Sequence, residues 1–288
     1  MELPKPQHPL VSVVRFEDIK RRSADYSFKV VNGFYSVALK QTFNSKLKYG
    51  QQSYDFDEGV LAFIGPGQIL SVEVENGEPL NHKGWLLLIH PDFLYNSTLS
   101  RKIDNYDFFG YQLNEALHLS EKEEKMLMDI MENIEQEYQS NIDHFSQDVI
   151  IAQIELLLTY SERFYQRQFI TRKINNRSIV TKLENILQEC FKSENRISVG
   201  IPTVEDIADK LKLSPNYISN LLKVETGKST QQHVQDALIK RAKHQLSTTE
   251  LSISEIAYEL GFEHPQSFSK LFKRKTDLSP KQFRASFT

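Results

Sequence analysis

Residues 203–230, TVEDIADKLKLSPNYISNLLKVETGKST, are echoed by residues 252–280, SISEIAYELGFEHPQSFSKLFKRKTDLSP. Ile207, Ala208, Leu211 and Leu213 match Ile256, Ala257, Leu260 and Phe262 at an offset of 49. Ile218, Ser219, Leu221, Leu222, Lys223 and Thr226 match Phe268, Ser269, Leu271, Phe272, Lys273 and Thr276 at an offset of 50. The one-residue slip falls between the two apolar runs, where a loop absorbs it. Each copy therefore reads as two helices joined by a short turn. A small residue in the first helix, Ala208 or Ala257, lets the second helix cross closely, and an apolar triplet on the second helix locks the angle. That is the helix-turn-helix arrangement, whose second helix presents its outer face to a DNA major groove. Thr203 and Ser252 stand three residues before Asp206 and Glu255, the spacing of helix N-caps. Between the copies, HVQDALIKRAKHQL (233–246) spaces Val234, Ala237, Leu238, Ala242 and Leu246 for a rigid connecting helix.

The two motifs, the connector LIKRAKHQL and the run ISEIAYELGFEHPQSFSKLFKRKTDLSPKQFR (253–284) resemble the C-terminal DNA-binding domain of AraC/XylS-type bacterial transcription regulators. The resemblance covers roughly residues 180–287. Two departures stand out: Asn220 where many members place Arg, and Asp277 in place of the glycine that usually ends the second motif. Asn pairs bidentately with adenine whereas Arg prefers guanine, so the first half-site is expected to lean towards A·T. Asp tolerates the left-handed conformation better than most residues, so Asp277 is expected to keep the motif intact.

The inward residues of each second helix are apolar, which leaves an outward set for DNA. In the first copy it is Asn216, Tyr217, Ser219, Asn220 and Lys223. In the second it is His264, Gln266, Ser267, Ser269, Lys270, Lys273 and Arg274. These include positions that carry base and phosphate contacts in the family. Asn216, Asn220, Gln266 and Lys270 are assigned to base edges, and Lys223, Lys273, Arg274 and Lys275 to phosphates. Phosphate contacts position the protein and base contacts discriminate.

Upstream the pattern changes to short, alternating, aromatic-rich runs: FKVVNGFYSVALKQ (28–41), SKLKYGQQSYDF (45–56), GVLAFIGPGQILSVEVENGE (59–78) and KGWLLLIHPDFL (83–94). Gly and Asn-Gly punctuation separates them, the signal for antiparallel strands and tight turns. Period-two alternation places Tyr35, Val37 and Leu39 on one face and Phe34, Ser36 and Ala38 on the other. The family resemblance implies a cupin-like β-barrel that binds an effector or dimerises. Tyr35, Tyr49, Phe63 and Trp85 are the candidate effector-pocket residues, although an aromatic interior also serves as an ordinary core. Gln68, Ile69 and Leu70 follow Pro66-Gly67 where metal-binding cupins carry a His, and His82 and His90 lack a ligand spacing; no metal or other cofactor is expected.

From Leu119 to Phe169 the period is helical. Ser120 and Glu123 have capping-box spacing, and Leu127, Ile130, Met131, Ile134 and Tyr138 form one stripe. In the second helix the apolar residues, with Ile150, Ile154, Leu157 and Leu158 among them, cover more than one face. That predicts packing on the parent domain and on a second subunit, the alternative being that both helices only cap the barrel. Residues 170–178, ITRKINNRS, are polar and read as a linker to a helix over Ile179–Cys190.

Overall composition is that of a globular chain. Of 288 residues 40% are hydrophobic and 25% charged, and no apolar run approaches the roughly 20 residues of a membrane span. A single cysteine, Cys190, excludes an internal disulfide. The cytoplasm is the expected location, with no membrane partner. Net charge is only −3, but residues 171–288 hold 19 Lys and Arg against 13 Asp and Glu, whereas residues 1–170 hold 16 against 25. A basic C-terminal part on an acidic body suits a polyanionic partner.

The expected organisation is thus multidomain α+β. An N-terminal arm (1–27) precedes a cupin-like antiparallel β-barrel with two flanking helices (28–169), followed by the linker and an all-α tandem helix-turn-helix domain (179–288). Its partners would be double-stranded DNA, a possible small-molecule effector, a second copy in a homodimer and, for an activator, RNA polymerase. The alternatives are a regulator governed by protein level or partner contacts, and a DNA-tethered cupin enzyme. Against an enzyme stands the lack of a Gly-rich phosphate loop, a metal-ligand spacing or a G-x-S-x-G nucleophile motif.

Overall fold

Val37 and Leu39, two residues apart, are both fully buried, whereas Ala38 between them and Lys40 beyond are half-buried. This alternation belongs to a central strand of an antiparallel sheet, one face of which is covered by helices. The computed structural model describes residues 6–18, 28–42, 47–49, 52–54, 59–72, 83–112, 115–140, 143–192 and 200–287. For residues 28–30, 41–42, 47–49, 52–54, 69–72, 173–175 and 191–192 it describes the backbone alone. The chain divides into two units, Met1–Thr171 and Arg172–Thr288.

The first unit holds β1 (Val11–Arg15), β2 (Phe28–Val31), β3 (Tyr35–Thr42), β4 (Leu47–Tyr49), β5 (Gln52–Tyr54), β6 (Val60–Ile64), β7 (Ile69–Val72), β8 (Lys83–Ile89), the short α1 (Leu99–Lys102), β9 (Leu117–His118), α2 (Glu121–Gln139) and α3 (Ser146–Thr171). Five strands form one antiparallel sheet in the order β1-β8-β3-β6-β9, and β2/β7 and β4/β5 make two separate pairs. The register puts Val37 opposite Phe63 and Leu87, and Leu39 opposite Leu61 and Trp85, so these residues share a face. Against that face Phe63 packs on Phe108 and Tyr165, with ring centroids 4.3 and 6.3 Å apart. Burying each such side chain is worth about 1.5–3 kcal/mol.

Among the described residues the five-stranded sheet is open, with β1 and β9 at its edges and the β2/β7 and β4/β5 pairs separate from it. The apolar face is covered in part by α3 and the turns before β9. Part of the expected N-terminal arm is structural too: β1 lies within it and pairs along β8 from Val11↔Ile89 to Arg15↔Trp85. Arg15 then stacks over Trp85 at 4.3 Å and forms a forked pair with Glu135 of α2, at 3.2 and 2.7 Å.

Helix α2 begins at Ser120, whose amide donates to Glu123 Oε2 at 2.9 Å as the capping-box spacing predicted. Its buried stripe is Leu127, Ile130, Met131 and Ile134, packed against α3.

The second unit is all helical: α4 (Lys173–Lys192), α5 (Val204–Leu211), α6 (Pro215–Thr226), α7 (Thr230–Thr248), α8 (Ile253–Glu259), α9 (Pro265–Thr276) and α10 (Pro280–Ala285). The expected linker at 170–178 is helical except for a turn at Arg172. The reason is tertiary. Asn176, only 2% exposed, sends its amide to Glu225 of α6 at 2.9 Å, so this polar segment packs on α6 instead of running free. Helix α4 also packs on α5 and α7.

Candidate nucleic-acid interface

Helices α5 and α6 form one pair, and α8 and α9 a second. The sequence enforces each start. Thr203 Oγ1 accepts from Asp206 N at 3.1 Å while Asp206 receives the Thr203 amide at 2.9 Å, and Ser252 and Glu255 repeat this reciprocal box at 3.1 and 2.6 Å. These are full capping boxes where the sequence indicated caps alone. Pro215 and Pro265 open the second helices, the position where a missing amide costs nothing.

The crossings are set by small buried residues. Ala208 and Ala257 are 2% and 0% exposed, and opposite them Ile218, Leu221 and Leu222 of α6 and Phe268 and Phe272 of α9 are fully buried. The turns use left-handed backbone in a complementary way. The first turn has Lys212 at φ 56° where the second has Gly261 at φ 87°, and α6 ends at Gly227, φ 74°, where α9 ends at Asp277, φ 60°. A Cβ on Gly261 would lie 2.8 Å from the Gly200 carbonyl carbon, so only glycine fits there. Asp277 occupies the left-handed C-cap directly, as its tolerance of that region anticipated.

With the inner faces fixed, the outward residues fall at matched positions. Asn216, Asn220 and Lys223 run along α6 at helical spacing, and Gln266, Lys270 and Lys273 run along α9 fifty residues later. All are exposed except Asn220, which is half-buried. His264, Ser267 and Arg274 are also exposed, and Ser269 is half-buried. Two of the predicted outward residues lie elsewhere. Tyr217 is 7% exposed and belongs to the core of its pair, because an aromatic ring beside Ile218 is better covered than solvated. Ser219 turns its hydroxyl to that of the buried Thr230 at 3.1 Å, tying α6 to α7. The helical period alone did not separate these flank positions from the exposed stripe.

Lys275, assigned to a phosphate, is engaged inside the unit: its ammonium lies 2.9 Å from Asp236 of α7, which also receives Lys228 at 2.7 Å. Burial works against the Asp236 carboxylate, but the bonds from Lys228 and Lys275 outweigh it and hold Asp236 below the usual carboxylate range. Arg284 of α10 reaches the carbonyls of Leu246 and Leu251 at 3.3 and 2.6 Å, around the end of α7. The Lys275–Asp236 and Arg284 contacts leave no spacing signal in the sequence, since they join residues more than thirty positions apart.

In the first unit the candidate pocket residues are packed. Phe63 and Trp85 are 4% exposed, and both are covered by the ring and guanidinium contacts described above. Tyr35 sets its ring edge-on to Phe109 at 4.9 Å and its hydroxyl 3.2 Å from Asp104, and burial followed by that carboxylate pushes the hydroxyl up to about 12. The side chain of Tyr49 lies outside the described residues. The candidate dimer residues Ile150, Ile154, Leu157 and Leu158 are 0–5% exposed within their own unit.

Comparison with known proteins agrees with this geometry. Residues 207–286 match the model of a helix-turn-helix domain. The HTH-type transcriptional activator RhaS of Shigella dysenteriae is 25% identical over 282 residues, spanning 88% of this chain and 93% of the relative. The Msm operon regulatory protein of Streptococcus mutans is 28% identical over 130 residues, 45% of this chain and 44% of the relative. Among solved structures, the C-terminal domain of the two-component response regulator yesN from Fusobacterium nucleatum is 32% identical over 36% of this chain and 95% of that one, with a TM-score of 0.32. The helix-turn-helix match thus falls on the repeat, and the similarity to transcription regulators such as RhaS runs along most of the chain.

Proposed function

We propose that the protein is a sequence-specific DNA-binding activator whose two helix pairs are tandem helix-turn-helix units. Helices α6 and α9 enter successive major-groove segments about one turn, ~34 Å, apart on one face of the duplex. The observation that carries this reading is the matched pair of outward stripes, Asn216-Asn220-Lys223 and Gln266-Lys270-Lys273. Their amide and ammonium groups suit base edges and phosphates, and each stripe lies on a helix whose inner face is locked by buried apolar side chains. Activation is supported by the name of the RhaS relatives and implies contact with RNA polymerase. The cytoplasm suits such a role, and no described helix is long and apolar enough to cross a membrane.

In this reading the first unit is a cupin-like sensing and dimerising domain. Its dimer face is the outer side of α3 with Phe145 just before it, where Phe145, Val149 and Leu156 are 70%, 41% and 43% exposed. Selecting bound fragments from a random DNA pool at two salt concentrations tests the proposal. A bipartite motif with segments one helical turn apart, bound more weakly at high salt, is the expected result. Recovery of a single short segment, or of none, overturns the tandem reading.

A further inference from the structure

Helix α2 carries Glu121, Glu123 and Glu124 in its first turn, where carboxylates suit the helix dipole, but its last turn holds Glu137 and no basic residue. A carboxylate at the negative end of a helix is locally unfavourable unless a cation meets it. Glu135, two residues earlier, is matched by Arg15. Among the described residues Glu137 has no such counterpart. Its side chain lines a cavity of about 650 Å³ at the corner where α2 ends and α3 begins.

A second carboxylate, Asp143, also lines the cavity, its Oδ1 accepting the amides of Phe145 and Ser146 at 2.7 and 3.0 Å. These bonds hold its carboxyl below the usual range despite some opposing burial, so it is ionised at neutral pH. Among the described residues the lining includes His8 and His144 but neither lysine nor arginine. Tyr138 supplies an aromatic wall, and its hydroxyl accepts the backbone amide of Gln7 at 2.6 Å, so the segment before β1 forms one rim. Phe93 and Ile150, both buried, form an apolar floor. Two carboxylates, a helix C-terminus and an aromatic ring around a space large enough for a small molecule are the elements that recognise an organic cation.

We propose that this cavity is a binding site for a small organic ammonium ligand, its charge met by Glu137 and Asp143 and its carbon frame by Tyr138. The proposal rests on the regulator reading only in making that ligand an effector; the binding site stands or falls separately. Because Gln7 is held by Tyr138, an occupant also touches the N-terminal segment that leads into β1.

The test uses the full-length protein and three probes of one shape, benzylammonium, benzyl alcohol and benzoate, with spermidine as a larger cation. Calorimetric titration and thermal unfolding are read together, since a ligand of the native state raises the melting temperature. Saturable binding by at least one of the two cations, absent for the alcohol and benzoate and weakened about tenfold by Glu137→Gln, is the expected result. A second variant, Gln147→Lys, places a competing ammonium at the rim and should abolish cation binding while the protein stays folded. Equal binding of the alcohol, cation binding unaffected by both variants, or no saturable binding of either cation overturns the site. DNA binding by the same preparations is measured in parallel, so loss of the regulator reading is seen independently.

Discussion

Lys275 at the end of α9 lies 2.9 Å from Asp236 in the connecting helix α7, and Asp236 also holds Lys228 from the loop after α6. One carboxylate thus ties together the ends of both outward-facing helices. Ion pairs this exposed are each worth no more than about 1 kcal/mol, so the consequence is mainly geometric. Asp236→Asn is expected to lower stability by about 1–2 kcal/mol at most. It should weaken binding to a two-segment operator more than to a one-segment site. Equal losses on both would show that Asp236 does not set the spacing. The folded-state pKa of Asp236 is depressed, so its contribution is fully present above the ordinary carboxylate value near 4 and is lost as pH falls through the lower folded value. Urea midpoints of the wild type and Asp236→Asn should therefore converge in strong acid and separate towards neutral pH.

The left-handed positions make a second, opposite prediction. Lys212 and Asp277 hold positive φ where the other motif copy has glycine. Left-handed backbone costs an ordinary L-residue roughly 1–2 kcal/mol. Lys212→Gly and Asp277→Gly should each raise stability by about 0.5–1 kcal/mol, a gain trimmed by the larger unfolded-state entropy of glycine. Denaturant midpoints check this. A decrease for both variants would mean that the side chains supply compensating contacts.

Much of the second unit was legible in the sequence because its information is local. The offsets of 49 and 50, the Thr203 and Ser252 caps and the alanines at the crossings lie within single helical turns or repeat copies, and the helices follow them. Helix α2 and its stripe were legible for the same reason. What was missed depends on distant partners. Asn176 makes a helix of an apparent linker by bonding to Glu225, Val11–Arg15 joins the sheet through β8, and Tyr217 is buried by neighbours that a helical wheel does not show. The dimer assignment failed to discriminate because α3 is apolar on several sides, and only the fold decides which side its own sheet and α2 cover.

The outward stripes predict two kinds of DNA phenotype. Lys223→Ala and Lys273→Ala remove phosphate contacts, so each should weaken all sequences alike and lower the slope of log affinity against log salt by about 0.9. Asn220→Ala and Lys270→Ala remove base contacts and should cost about 1–3 kcal/mol on the selected operator while relaxing preference at one position. Gel-shift titrations across salt, with operator and scrambled duplexes, separate the two. An unchanged affinity of the Asn220→Ala, Lys270→Ala double variant for the operator would remove both residues from the interface.

The outer side of α3 supplies the last prediction. Phe145, Val149 and Leu156 recur at four- and seven-residue spacing and remain exposed, whereas Ile150, Ile154, Leu157 and Leu158 are already covered by the parent unit. A charge placed among the exposed residues should therefore disrupt self-association without unfolding the protein, because these side chains are far less covered by their own unit than Ile150, Ile154, Leu157 and Leu158. Leu156→Glu is expected to convert a dimer to a monomer in sedimentation equilibrium with little change in melting temperature. Leu157→Ala, which empties a fully buried site, should instead lower stability by about 2–5 kcal/mol. If Leu156→Glu leaves the oligomeric state untouched, the second copy docks elsewhere or is absent, and a single chain would have to read both DNA segments with its own α6 and α9.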